Sequence, residues 1–190
     1  MSQHTHIKQL IDQLLQDDQL AQRQLVDLQG DRLYAICLRY VGDTHTAKDA
    51  LQESFIRIFK HIKKYDAKKG SFNTWISTIT VRQCLSMIDR RKLTSSLYND
   101  KNELLKIVNE SRQQEPKIID KMNADDLMLV VRTLPDGYRE VFNLAVIEGY
   151  SHKEIGELLG YKESYSRTIL TRAKNLLRDK LQGSGIVSLQ

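Results

Sequence analysis

Apolar residues recur every three or four positions along almost the whole of this chain, and the recurrence lapses over one long stretch, residues 96–124. Such spacing commits a segment to an amphipathic helix, because only at about 3.6 residues per turn do those side chains share a face. Before the lapse the stripes are Leu10 and Leu14, then Leu25, Leu28, Leu33, Ile36, Cys37 and Tyr40, then Ala47, Leu51, Phe55, Ile58, Phe59 and Ile62, then Phe72, Trp75, Ile76, Ile79, Leu85 and Ile88. After it come Leu127, Val130, Val131 and Leu134, followed by Val141, Phe142, Leu144 and Ala145. With 2 prolines and 9 glycines among 190 residues, the chain is short of the turn formers that hairpins need. The expectation is an all-α protein of two small helical domains, 1–95 and 125–190, joined by a flexible linker over 96–124.

The punctuation between stripes supports this division. Gly42-Asp43-Thr44 offers a break and an N-cap, and Lys63 to Ser71 reads as a basic loop. Arg90-Arg91-Lys92 closes the first helical block. The linker mixes Thr, Ser, Asn, Gln, Lys and Glu around a single apolar patch, Leu104 to Val108, and holds Pro116. The other proline, Pro135, opens a helix where its missing N–H does no harm.

Several function classes are disfavoured. No apolar run is long enough to cross a bilayer, and the polar start Met1-Ser2-Gln3-His4 lacks the basic and apolar regions of a secretory signal. A cytoplasmic protein without direct membrane insertion is expected. Cys37 and Cys84 lie inside apolar stripes with no second ligand at metal spacing, so they read as core thiols. The carboxylates fall on helix surfaces, the 5 histidines are scattered and no glycine-rich phosphate loop appears, so no catalytic residue, metal or cofactor is expected.

The net charge of +5 is modest, but its distribution is uneven. Residues 125–161 carry three basic and seven acidic side chains, whereas 162–190 carry six and two. A roughly neutral domain with one cationic end suits a protein that holds a phosphate backbone on one face. The same segment carries a helix-turn-helix pattern. Ser151 and Glu154 fit a capping box, Ile155, Leu158 and Leu159 form a buried face, Gly156 leaves room for a close crossing and Gly160 can end the helix. A second helix from about Lys162 puts Ser166, Ile169, Leu170, Ala173, Leu176, Leu177 and Leu181 inside. Its outer side presents Ser164, Arg167, Thr168, Thr171, Asn175 and Arg178, flanked by Arg172 and Lys174, groups able to bond phosphates and base edges. A solvated charged face has a similar composition, yet the capped preceding helix, tight turn and cationic end together favour duplex DNA.

These residues resemble the extracytoplasmic-function branch of the sigma-70 family. Leu134-Pro135-Asp136-Gly137-Tyr138-Arg139-Glu140-Val141-Phe142, with Glu148 to Gly160, Ser166-Arg167 and Arg172-Ala173-Lys174, is similar to region 4, which binds the −35 element. Asp49-Ala50-Leu51-Gln52-Glu53-Ser54-Phe55 is similar to region 2.2, which docks on the clamp coiled coil of RNA polymerase. Phe72-Asn73-Thr74-Trp75-Ile76, Ile79 and Asp89-Arg90-Arg91-Lys92 are similar to the regions that open and bind the −10 element.

The resemblance implies an alternative sigma factor that binds core RNA polymerase and promoter DNA and catalyses nothing itself. It assigns polymerase binding to Asp49, Gln52, Glu53 and Phe55, although a plain solvated face would present the same polar groups. It assigns −10 DNA to Lys63, Lys64, Tyr65, Trp75, Arg82, Arg90, Arg91 and Lys92, with Lys68 and Lys69 adding charge and Phe72 expected in the core. Duplex −35 DNA falls to Ser164, Arg167, Thr168, Thr171, Arg172 and Lys174. An anti-sigma factor is a partner that the family alone suggests. The chain departs from the family's pattern where Arg82 replaces Asn, Ser166 replaces an inward Val and Lys162 replaces a capping Ser or Thr.

Overall fold

In the computed structural model, which describes residues 3–98 and 124–183, two long helices of the first unit begin at an aspartate suited to that place. The chain forms two compact units, one through Met87 and one from Ile88 onward. In the first, α1 (Gln3–Leu14) is followed by α2 (Gln19–Val41), whose start is capped by the Asp18 carboxylate accepting from Leu20 and Ala21 N–H. Gly42, in the left-handed conformation that a Cβ disfavours, ends α2. Asp43 caps α3 (Thr44–His61) by accepting from Thr46 N–H at 2.8 Å. A 3₁₀ turn (Ile62–Lys64) and a loop then lead into α4 (Phe72–Tyr98).

The inner faces of these helices match the stripes with one exception. Leu10, Leu14, Leu25, Leu33, Ile36, Tyr40, Ala47, Ile58, Ile62, Phe72, Ile76 and Leu85 are buried, as are Cys37 and Cys84. Leu28 is exposed instead, because at 100° per residue it stands about 120° from the line through Leu33, Ile36 and Tyr40. A hydrogen bond with Cys37, with burial next, pushes the Cys84 thiol far above its ordinary value, so it stays protonated and unreactive. Gln83 is buried among these apolar groups with no partner for its amide among the described residues, and nothing in the structure explains it.

The second unit begins ahead of the boundary expected at 95 and takes in the end of α4, which runs on to Tyr98. Residues 99–123, most of the expected linker, lie outside the described residues. α5 (Ala124–Arg132) precedes α6 (Asp136–Phe142), with Pro135 standing one place earlier than expected, as the cap residue before the helix. α6 widens into a π turn (Asn143–Ile147), closed by Glu148 N–H donating to Asn143 O at 2.9 Å, which the apolar period did not announce. Val130, Val131, Leu134, Phe142, Ala173 and Leu177 form the core of this unit.

α7 (His152–Leu159) and α8 (Glu163–Gly183) form the helix-turn-helix. The capping box is present: Ser151 N–H donates to Glu154 Oε2 at 2.8 Å, and Glu154 N–H to Ser151 Oγ at 3.3 Å. The Ser151 hydroxyl, with its backbone N–H next, holds the Glu154 carboxyl below its ordinary value. Gly160 takes the left-handed conformation at φ 71° and donates to Gly156 O, as does Tyr161 N–H at 2.9 Å. This folds the turn back onto α7 so tightly that a Cβ at Gly156 would sit 2.6 Å from Tyr161 O.

Two glycine substitutions therefore have opposite signs. Gly30, mid-helix in α2, has nothing within 4 Å of an added Cβ, so Gly30→Ala gains helix propensity and raises stability by about 1 kcal/mol. Gly156→Ala gains the same propensity but drives a Cβ against backbone, which puts the overpacking cost at the upper end, about 3 kcal/mol, and denaturant melts are expected to show a net loss. A neutral Gly156→Ala would mean that the turn is not tight.

Candidate nucleic-acid interface

α8 is held by its inner face and leaves its outer face bare. Ser166, Ile169, Ala173 and Leu177 are buried, with Leu170, Leu176 and Leu181 half-buried, as its projection requires. All six residues expected to face duplex DNA, Ser164, Arg167, Thr168, Thr171, Arg172 and Lys174, are exposed. Thr168 and Thr171 hydroxyls donate back to Ser164 O and Arg167 O at 3.1 Å each, which leaves their oxygens able to accept. Arg167 donates to Glu163 at 2.5 Å, an i,i+4 pair in which both side chains are largely exposed. Such a pair is worth about 0.3–0.5 kcal/mol, so a phosphate or guanine displaces it easily. Sequence spacing gave no notice of Tyr165, half of it exposed beside Ser164, with its ring edge-on to Tyr161 at 5.2 Å.

One buried polar group breaks the apolar line inside α8. Ser166, fully buried, shares a 3.0 Å hydrogen bond with Nδ1 of His152, the first residue of α7. The sequence showed Ser166 as a departure from an apolar position, but not its partner, which lies 14 residues earlier on the other helix.

In the first unit, Lys63, Lys64, Lys68 and Lys69 are exposed around the loop after α3. Tyr65, Phe72 and Trp75 meet there, with ring centroids 5.2–5.9 Å apart. Phe72 is buried, as expected, and it supports the half-buried Tyr65 and Trp75 from within. Tyr65 OH donates to Gly70 O at 3.3 Å, so the ring ties the loop to its own far end. Arg82 is exposed about two turns beyond Trp75 on α4.

The exposed face of α3 carries Asp49, Gln52 and Glu53, with His45 Nδ1 3.3 Å from the Asp49 carboxylate. Phe55, expected with them, is instead 6% exposed and stacked on Phe59 at 5.9 Å. The reason is angular: at 100° per residue Phe55 falls on the buried side, while Ile56, half-exposed, lies between Gln52 and Glu53.

Arg90 is exposed on α4, and the two cations after it are engaged within the second unit. Arg91 is paired with Asp136, which also accepts from Arg139 at 2.6 Å, and Lys92 donates to Glu140 at 2.7 Å. Arg139 is buried and also donates to Leu134 O at 2.7 Å and Arg132 O at 3.1 Å. Burial alone would raise the Asp136 carboxyl, but Arg139 and Arg91 outweigh it and hold the group below its ordinary value. Glu140 is the converse: burial pushes its carboxyl up even with Lys92 beside it. Lys92, whose own burial would lower it, is held above its ordinary value by that carboxylate. Asp136 and Glu140 were legible only as parts of a motif, not as partners of these cations.

Among the described residues no group of His, Cys, Asp and Glu could hold a metal ion, and no helix is long and apolar enough to cross a membrane. Residues 25–94 match the family described as Sigma-70 region 2, and 124–177 match Sigma-70, region 4. The chain is 29% identical over 182 residues to the ECF RNA polymerase sigma factor SigW of Bacillus subtilis, covering 93% of this chain and 97% of that protein. It is 33% identical over 160 residues to SigE of Mycolicibacterium smegmatis, covering 83% of this chain and 60% of that protein. The fold is like that of the sigma factor RpoE of Bartonella quintana, solved in complex with the anti-sigma factor NepR. That likeness has a TM-score of 0.52 and 18% identity, and covers 84% of this chain and 96% of that one.

The buried carboxylate supplies a test of the ion pairs. Lys92→Ala leaves Glu140, 1% exposed, without its cation. The loss at neutral pH is about 2 kcal/mol, below the ~3–5 of a fully buried pair because Lys92 is 40% exposed and partly screened. Adding Glu140→Gln to Lys92→Ala removes the buried charge along with its cation and costs less. Since burial raises the folded carboxyl, the Lys92→Ala deficit closes below the ordinary value of 4.5 and opens as pH rises through the folded one. Urea melts at several pH values check this; a deficit that does not change with pH would show that Glu140 is not buried as a charge.

Proposed function

The chain belongs to the sigma-70 family, in its extracytoplasmic-function branch, and from that membership we propose which of its surfaces meet polymerase and which meet promoter DNA. It is an alternative sigma factor: it binds core RNA polymerase and directs promoter-specific transcription initiation. Sigma factors are regulatory proteins, and we read this chain as having no reaction of its own.

The observation that carries the assignment is α8, capped off from α7 by a glycine turn, anchored on one side and bare on the other over Ser164, Arg167, Thr168, Thr171, Arg172 and Lys174. In this reading the N-terminal part of α8 enters the major groove of the −35 element, Arg167 reads a base edge and Lys174 holds phosphate. The region 2 domain, 1–95, holds the unwound −10 strand. Tyr65 and Trp75 offer ring faces for stacking, and Lys63, Lys64, Arg82 and Arg90 hold the backbone electrostatically. Arg91 and Lys92 join them by exchanging Asp136 and Glu140 for phosphates. Strand binding offsets an unstacking cost of a few kcal/mol, so opening needs no nucleophile or metal.

Polymerase docks on the exposed face of α3 through Asp49, Gln52 and Glu53, with Ile56 as the apolar anchor at their centre and Phe55 supporting the helix from below. The domains are assigned as 1–95, a linker over 96–124 and region 4 over 125–190. The solved relative bound to an anti-sigma factor supports an inhibitor of that kind as a further partner.

Ile56→Ala is expected to weaken binding to core polymerase by roughly 1–2 kcal/mol with an unchanged melting curve, whereas Phe55→Ala costs the fold about 3–5 kcal/mol. Binding titrations of both variants check this, and unaltered affinity in Ile56→Ala would remove that face from the interface. On a panel of −35 variants, Arg167→Ala holoenzyme loses about 1–3 kcal/mol and relaxes preference at one position, while Lys174→Ala weakens all sequences alike. A uniform loss for Arg167→Ala would make it a phosphate contact.

A further inference from the structure

We infer that the hydrogen bond between His152 and Ser166 is a positioning pair that fixes the rotation of α8 about its own axis, and so the −35 sequences this protein distinguishes. The inference rests on the reading of α8 as the helix that enters the groove.

Ser166 is the first fully buried residue of α8; Glu163, Ser164 and Tyr165 before it are exposed. It therefore anchors the same end of the helix that presents Ser164, Arg167 and Thr168. The later anchors, Ile169, Ala173 and Leu177, are apolar, and apolar contact is not directional. They set how deep α8 sits and which face turns inward, but contact of that kind fixes the last few tens of degrees of rotation less sharply than a directional bond does. A hydrogen bond adds direction. Thr168 and Thr171, in the same helix, spend their hydroxyls on carbonyls of their own helix, but Ser166 reaches across to His152 at 3.0 Å. A buried hydroxyl that loses its partner is costly, so the pair resists turning α8.

Small rotations matter here. A turn of about 20° carries a side-chain tip some 6 Å from the helix axis through about 2 Å, enough to break a bidentate contact to a base. His152 is well placed for the role because it opens α7, directly after the Ser151–Glu154 cap that fixes that end of the helix. The bond survives whichever ring nitrogen carries the proton, since a hydroxyl both donates and accepts.

The test uses holoenzyme reconstituted with the full chain and measures the ratio of initiation from the preferred −35 sequence to that from single-base variants. The ratio cancels the fraction of folded protein, so a loss of stability alone does not move it. His152→Phe keeps the bulk of the ring without the nitrogen, and Ser166→Ala removes the hydroxyl. Each is expected to lower the ratio by about threefold or more, and the double variant no further. His152→Asn, which bears an amide atom on the same Cγ as Nδ1, is expected to restore it. An unchanged ratio with a lowered melting midpoint would make the pair merely structural, and losses that multiply in the double variant would show two independent residues; either overturns the inference. Arg167→Ala in the same panel separates the two claims. If it lowers the ratio and His152→Phe does not, the positioning role alone falls; if neither does, Arg167 is a phosphate contact, base reading by this end of α8 loses its support and both claims fall.

Discussion

At Gly156 the backbone of one helix and the turn that follows it come within a distance that no side chain could occupy, 2.6 Å from a built Cβ to Tyr161 O. The start of α8 depends on that approach. Gly160, turned left-handed, and Tyr161 both donate to the Gly156 carbonyl, so one peptide group collects the turn and directs the chain into Lys162. From there Lys162 O accepts Ser166 N–H at 3.1 Å and the helix is under way. A wider turn would carry Ser166 away from His152 and lift Ile169 from the core. The cost of having glycine in a helix, about 1 kcal/mol, is small beside what a wider turn would undo.

Electrostatics divides the cations of this protein into two kinds. Arg167 leans on Glu163 in an exposed pair worth a few tenths of a kcal/mol, and Lys63, Lys64, Lys174 and Arg172 are exposed. These can exchange solvent or a weak partner for phosphate at little expense, and they surround the surfaces assigned to DNA. Lys92 is different, because Glu140 behind it is buried and cannot turn to water when the lysine leaves. A contact from Lys92 to DNA is therefore tied to the fate of that carboxylate. Asp136, which serves both Arg91 and Arg139, tolerates such an exchange better, since Arg139 stays beside it.

In the first unit the surface assigned to polymerase is a by-product of helix geometry. Burying Phe55 and Ile58 on one side of α3 forces Asp49, Gln52, Glu53 and Ile56 to the other. In the proposed docking, Ile56, half-exposed in the middle of these polar groups, is the side chain that would serve as the apolar anchor. The ring cluster of Tyr65, Phe72 and Trp75 follows the same logic, one ring buried so that two can be offered.

What the sequence determined by itself is everything whose cause lies within one or two turns of helix. The period of apolar residues, the caps at Asp43 and Ser151, the left-handed Gly160 and the two faces of α8 were all legible, because each is decided by neighbours about four residues apart. Motif order added the family and the two regions. The stripes place Leu28 inward and the motif places Phe55 on the polymerase face, both against their angles: at 100° per residue Leu28 lies off the buried line of α2, Phe55 on the buried side of α3 and Ile56 amid its polar groups. The partners of polar groups were illegible for a different reason. Lys92 meets Glu140 across 48 residues, Arg91 meets Asp136 across 45 and Ser166 meets His152 across 14. No local rule relates such positions, since charges and hydroxyls pair with whatever the chain brings within about 3 Å, and only the tertiary structure decides what that is.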